Sequence, residues 1–171
     1  ALVDVDRAQR NCERMLARAE ALGVSLRPHV KTHKCVPAAR LQVGARTGPI
    51  TVSTMAEARR FATAGFRDIT LAVPLAPWRA DEVMELRRDL ERLWLLVDHA
   101  DTLAEVERAA RTRRRRVGVL LKVDCGYHRA GVDPLGEIGP ALAQWITDSD
   151  WLEFGGILTH AGHAYSCDHL D

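Results

Sequence analysis

Hydrophobic positions recur along this chain in two alternating patterns. In the stretch 6–22, Cys12, Met15, Leu16, Ala19 and Leu22 share one face at helical spacing and Gly23 follows, which predicts an amphipathic helix closed by a glycine. Beyond it, short apolar or β-branched runs at 25–31, 50–53, 68–73, 93–98, 117–124 and 152–160 read as strands. Their starts lie 18 to 35 residues apart, room for a strand, a crossover helix and two loops. The intervening segments carry helix signals. Thr54-Met55-Ala56-Glu57 fits a capping box with Gly65 as the stop. Asp101 is placed to cap a helix reaching about Arg111, and Asp133-Pro134 supplies a cap and a first-turn proline for one reaching about Thr147.

Six strands alternating with helices predict a parallel α/β sheet. No glycine-rich dinucleotide loop or Walker loop follows any strand, which favours a (β/α)8 TIM-type barrel over a nucleotide-binding doubly wound sheet. A complete barrel takes about 250 residues and eight strands. With 171 residues and six strands the expectation is an incomplete barrel over 6–171, part of a longer polypeptide or closed by a partner, because an open barrel leaves two strand edges unpaired. The apolar segment 1–5 stands outside it as an opening strand.

Composition narrows the function classes. At 47% hydrophobic, 27% charged and net charge +1, the chain has the make-up of a globular domain and lacks the charge excess of a nucleic-acid binder. The run Arg111, Arg113, Arg114, Arg115 and Arg116 precedes a predicted strand without aromatic interleaving, so it reads as cations at a helix C-terminus, on the rim opposite a barrel's active site. No apolar run reaches the roughly 18 residues of a membrane span, and 1–10 is too charged for a signal peptide, so the expected location is the cytoplasm. Cys12, Cys35, Cys125 and Cys167 form no C-x-x-C pair and read as free thiols. Of 24 basic residues only Lys31, Lys34 and Lys122 are lysines. Where a positive charge suffices this chain uses arginine, so a retained lysine points to a need for a primary amine.

Barrel active sites form at the C-terminal ends of the strands. Lys31 ends the first predicted strand, Arg129 lies in the loop Cys125-Gly126-Tyr127-His128-Arg129 after the fifth, and His160 ends the sixth, all on one rim. A lysine amine that is partly desolvated and near another cation can act as a nucleophile and form a Schiff base, which suits an aldehyde cofactor.

Three segments carry a resemblance. Leu26-Arg27-Pro28-His29-Val30-Lys31-Thr32-His33-Lys34 resembles the cofactor-lysine motif of the D-threonine aldolase and D-serine dehydratase family, pyridoxal-phosphate enzymes of the alanine racemase fold type. Val123-Asp124-Cys125-Gly126-Tyr127-His128-Arg129-Ala130-Gly131-Val132 resembles the second signature, and Gly156-Ile157-Leu158-Thr159-His160-Ala161-Gly162-His163-Ala164-Tyr165 the third. The three occur in order, and the resemblance runs from Ala1-Leu2-Val3-Asp4 to the end of the chain.

The resemblance implies that Lys31 carries the cofactor. Lys34 competes; Lys31 is preferred because it follows the apolar run directly, whereas Lys34 lies further into the following loop or helix. Arg129 is implied to hydrogen-bond the cofactor's phenolic oxygen, His160 to pack on the pyridine ring and Tyr165 to lie close to the cofactor. His29 and His163 are further candidates for the pocket, His163 as an acid or base near the substrate. His160, His163, Cys167 and His169 have the look of a metal site, but the spacing fits no common zinc module, so no metal ligand is expected in this chain. The divalent metal of the resembling enzymes, zinc or manganese, is implied to be bound downstream, as are the last two strands and a C-terminal β domain that segment 1–5 would pair with. The implied activity is a lyase acting on D-3-hydroxy amino acids when full length, with this piece inactive alone, and a homodimer is implied for the full chain. An amino-acid racemase and a non-catalytic cofactor carrier are the alternatives.

Overall fold

The computed structural model describes residues 2–44 and 47–167. The chain divides into two compact units. One is built on the chain up to Ala72 together with Leu86–Leu93, the other on Val73–Glu85 and the chain from Trp94 onward.

In the first unit the opening helix α1 (Val5–Ala21) starts where the Asp4 carboxylate accepts from Arg7 N at 2.9 Å and stops at Leu22 before Gly23, whose φ is +65°. Residues 2–4 have no regular structure and Val5 is already helical; the opening strand was expected to pair with a β domain outside these residues, and Ala1 lies outside the described residues. α1 packs against α2 (Val36–Gln42), a helix the sequence pattern did not announce. None of the residues of α1 is buried, and Met15 remains 52% exposed. The apolar face read from the periodicity exists, but little of it is covered.

The stretch 25–31 is extended without becoming a strand. It makes one isolated parallel bridge, His29 opposite Thr51, with Val30 N donating to Thr51 O at 2.9 Å and Thr51 N to Pro28 O at 2.8 Å. Pro28 has no N–H to extend the ladder. The described residues therefore hold five strands rather than six. β1 (Ile50–Val52) pairs in parallel with β2 (Asp68–Pro74), Ile50 opposite Ile69 and Val52 opposite Leu71. Between them α3 (Met55–Thr63) begins as predicted: Thr54 Oγ1 accepts from Glu57 N at 3.1 Å, and the Glu57 carboxylate accepts in return from Ser53 N at 2.8 Å. Ile50, Val52, Phe61, Phe66 and Ile69 are fully buried or nearly so, the two phenylalanine rings meeting edge-on at 5.3 Å. Each such side chain contributes about 1.5–3 kcal/mol of burial.

β3 (Arg92–Val97), which belongs to the second unit from Trp94 onward, β4 (Val117–Lys122) and β5 (Leu152–Leu158) run parallel in that order. α4 (Ala80–Arg87), α5 (Ala100–Thr112) and α6 (Ile138–Asp148) complete the alternation. Two predicted caps differ. His99, not Asp101, caps α5, accepting from Asp101 N at 3.3 Å. The Asp133 carboxylate accepts from Leu135 N at 2.9 Å and closes a turn, so α6 starts at Ile138 instead of beside Pro134. An Asx turn satisfies the same side chain locally and delays the helix.

Register is interrupted once. Between Val119 and Leu121 the partners on β5 jump from Phe154 to Ile157, a bulge formed at Gly155 and Gly156. The Trp94 indole lies across Gly118 and Gly155, where a Cβ would stand 2.3 and 2.2 Å from its ring, so glycine is required at both. A bulge bends its strand and re-aims the residues beyond it. Here it precedes the end of β5 and the loop carrying His160.

Candidate functional site

In the first unit, the backbone turns sharply after Val30, with Lys34 N donating to Val30 O at 2.8 Å. His29 accepts from Lys31 N through Nδ1 at 3.3 Å and lies 3.4 Å from Ser53 Oγ through Nε2, tying the turn to the end of β1. The two lysines of this turn have different surroundings. Lys34 Nζ pairs at 3.1 Å with the Glu57 carboxylate, itself 7% exposed. Burial alone would push the Glu57 carboxyl up, but hydrogen bonds from Ser53, Lys34 and Thr54 and the Lys34 charge outweigh it and leave it below its ordinary value. Lys31 is exposed, and its ammonium makes no ion pair or hydrogen bond among the described residues. Lys34 is committed to a carboxylate and Lys31 is available.

In the second unit the loop after β4 is shaped by its own first residue. Asp124 Oδ1 accepts from Gly126 N at 2.9 Å and His128 N at 3.0 Å, and its other oxygen pairs with His128 Nδ1 at 3.0 Å. These bonds hold the Asp124 carboxyl below its ordinary value, the His128 backbone bond first among them. The loop closes on Val132, whose N donates to Lys122 O at 2.9 Å, while Gly131 N donates to Asp98 at 3.0 Å. At Gly131, with φ +116°, a Cβ would lie 2.6 Å from the backbone of Val123 and Asp124, so the closure requires glycine. A cavity of about 510 Å³ opens beside this loop, lined among others by Asp124, His128 and Asp133, within the range of small-molecule sites.

Tyr127 at the loop's tip meets the segment after β5. Its ring centroid lies 5.5 Å from that of His160, edge-on at 82°, and 6.4 Å from that of His163. The Arg129 guanidinium carbon sits 5.5 Å from the Tyr127 ring centre, and Tyr165 lies 6.3 Å from His160. Arg129, His160 and His163, three of the residues singled out from sequence, thus gather around one tyrosine that was not, and Tyr165, the fourth, adjoins them through His160. Tyr165, in the 3-10 turn Gly162–Ser166, is 86% exposed.

Lys122 was also missed, although its rarity as a lysine was the signal. It ends β4, is 4% exposed, and its amine makes one long contact, 3.4 Å to Val123 O. Burial pushes it below the ordinary lysine value and Arg129 adds to that, while Cys125, Asp124 and Asp98 act in opposition.

The arginine run is committed elsewhere. Arg113 pairs with Asp81, Arg111 with Glu107, and Arg116 donates to Leu152 O. Of the metal-like cluster, His169 lies outside the described residues, and no group of three or more His, Cys, Asp or Glu among the described residues is arranged to hold a metal. No helix among them is long and apolar enough to cross a membrane.

Comparison with known proteins supplies the context. The family model for the alanine racemase N-terminal domain matches residues 3–171. A D-threo-3-hydroxyaspartate dehydratase of Delftia is 40% identical over 98% of this chain and 44% of its own length. Its solved structure superposes with a TM-score of 0.86 over 98% of this chain and 44% of that one. A D-serine dehydratase of Dictyostelium discoideum is 34% identical over 93% of this chain and 43% of its own length. The structure of a D-threonine aldolase of Filomicrobium marinum matches at 25% identity and TM-score 0.83 over 91% of this chain and 42% of that one. The chain therefore spans less than half the length of the relatives it matches. The fold class is α/β of the incomplete-barrel type that the alternation of elements predicted.

Proposed function

This chain belongs to the alanine racemase N-terminal-domain family, and from that premise we propose that it is the cofactor-lysine portion of a pyridoxal-phosphate-dependent lyase acting on D-3-hydroxy amino acids. One observation carries the reading: relatives aligned with nearly all of this chain are named for the dehydration of D-threo-3-hydroxyaspartate and D-serine. Both substrates are D-amino acids with a hydroxyl on Cβ.

The residues present fit the cofactor. A cofactor held through its aldehyde needs an amine that no carboxylate has claimed, and in the Lys31 turn Lys34 is paired with Glu57 while Lys31 is not. A flat, phosphorylated ring with a phenolic oxygen suits cations and aromatic edges, and Arg129, His160 and Tyr165 group accordingly. When bound, pyridoxal phosphate supplies an electron sink for the pair released at the substrate's α-carbon.

In this proposal Lys31 holds the cofactor through Nζ. Arg129 donates to the phenolic oxygen and keeps it anionic, a task a fixed guanidinium performs at any physiological pH. His160 packs on the ring face, and Tyr165 borders the phosphate. His163, exposed beside Tyr127, moves a proton at the substrate's α-carbon or hydroxyl. The described residues do not fit a divalent metal, so no step here is assigned to one.

The test uses the full-length protein with D-threonine, D-serine, D-3-hydroxyaspartate and alanine, with and without zinc or manganese. A lyase releases glycine and an aldehyde, or a keto acid and ammonia; racemised alanine with intact hydroxy amino acids would refute the proposal. Lys31→Ala is expected to abolish the visible absorbance of bound cofactor, whereas Lys34→Ala preserves it.

A further inference from the structure

We infer that Tyr127 is a positioning residue that holds the Arg129 guanidinium and the His160 imidazole in one arrangement; this rests on the reading of Arg129 and His160 as cofactor residues. The two come from different loops, one after β4 and one after β5. Arg129 is exposed and makes no hydrogen bond or ion pair among the described residues, so its long side chain has rotamer freedom that a ligand contact would have to remove. The Tyr127 ring offers its face to the Arg129 guanidinium at 5.5 Å and meets the His160 ring edge-on at 5.5 Å. The first contact is a cation over a π face, the second a T-shaped pair, and both depend on where the ring lies.

The ring's place is built from both sides. On its own loop, Asp124 accepts from the backbone N–H groups flanking Tyr127, those of Gly126 and His128. Opposite, Gly162 is buried beneath the ring: a Cβ there would stand 2.8 Å from Tyr127 Cζ and 2.9 Å from Cε1. Only the missing side chain lets the ring lie against that backbone. Tyr127 is 43% exposed, so its burial contributes little to the core, and its contacts are concentrated on candidate site residues. Such pre-ordering lowers the cost of fixing site groups when a ligand arrives.

The experiment compares the native full-length protein with Tyr127→Phe, Tyr127→Leu and Gly162→Ala. Each is titrated with pyridoxal phosphate, read by its absorbance, and the His160 ring signal of the cofactor-free protein is followed by NMR. Phe keeps the aromatic face and is expected to bind within about twofold of native with the His160 signal unmoved. Leu keeps bulk but no π face, and Gly162→Ala displaces the ring; both are expected to weaken binding about tenfold and to shift the His160 signal. Native-like binding in Tyr127→Leu, or an unmoved His160 signal, overturns the inference. If the native protein takes up no cofactor, the cofactor reading has failed, and the His160 signal alone decides the role of Tyr127.

Discussion

Replacing Glu57 by alanine removes the carboxylate that joins the Lys31 turn to the start of α3. Its surroundings set three losses. Ser53 N loses its acceptor at 2.8 Å, the capping arrangement with Thr54 is halved, and a side chain only 7% exposed is cut back to a methyl group. The Thr54 cap on the Glu57 backbone N survives the change, so the expected loss is that of an orphaned, partly buried N–H, about 1–3 kcal/mol. Glu57→Gln keeps an acceptor for Ser53 and surrenders only the ion pair with Lys34, whose side chain is 63% exposed, so it should cost about 0–1 kcal/mol. Urea unfolding of the full-length variants at pH 7 measures both. The pH dependence has a definite sign. The folded carboxyl lies below its unfolded value, so its stabilisation is complete above the unfolded value and disappears as pH falls through the folded one. The native protein and Glu57→Gln should therefore converge in acid. Equal losses for Ala and Gln at pH 7 would refute the reasoning, since they would mean that the charge, and not the backbone acceptor, matters.

Lys122→Met should stabilise the fold by about 1–2 kcal/mol at neutral pH, because it keeps the apolar stem and removes an ammonium that is 4% exposed. The lowered lysine value means that the cost of charging it is full below the folded value and fades as pH rises toward the unfolded one, so melting curves at pH 7 and pH 10 should show the advantage shrinking; a destabilised variant would contradict this. Gly155→Ala drives a Cβ to 2.2 Å from the Trp94 ring and should cost about 1–3 kcal/mol, recovered when Trp94 is also cut to leucine. Gly156→Ala meets no atom within 4 Å but sits at φ +106°, so the same Trp94 change should leave its cost intact.

The elements announced by strong periodicity were legible from sequence. α1, α3 and five strands lie within a few residues of their expected bounds, because apolar alternation and the signals Thr54, Gly23 and Gly65 are local. Failures arose where one residue type serves two structures. Pro28 sits in an apolar run yet cannot donate, Asp133 closes its own turn before a helix can start, and His99 takes the cap that Asp101 was given. α2 was not recognised because it is a single short segment beginning at Val36-Pro37. For the site, the family-like motifs pointed to Arg129, His160, His163 and Tyr165, and these do cluster. The residues that support them were invisible for a physical reason. Tyr127 matters through where Gly162 lets its ring rest, and Glu57 through a pair with Lys34, and both relations exist only in three dimensions.

The central claim is that one amine, Lys31 Nζ, carries the cofactor. Its most direct test is borohydride reduction of full-length protein loaded with pyridoxal phosphate, followed by peptide mass spectrometry, which records the lysine that acquires the phosphopyridoxyl mass. The account predicts the added mass on Lys31. Finding it on Lys34, on Lys122, or on no lysine of this chain would contradict it.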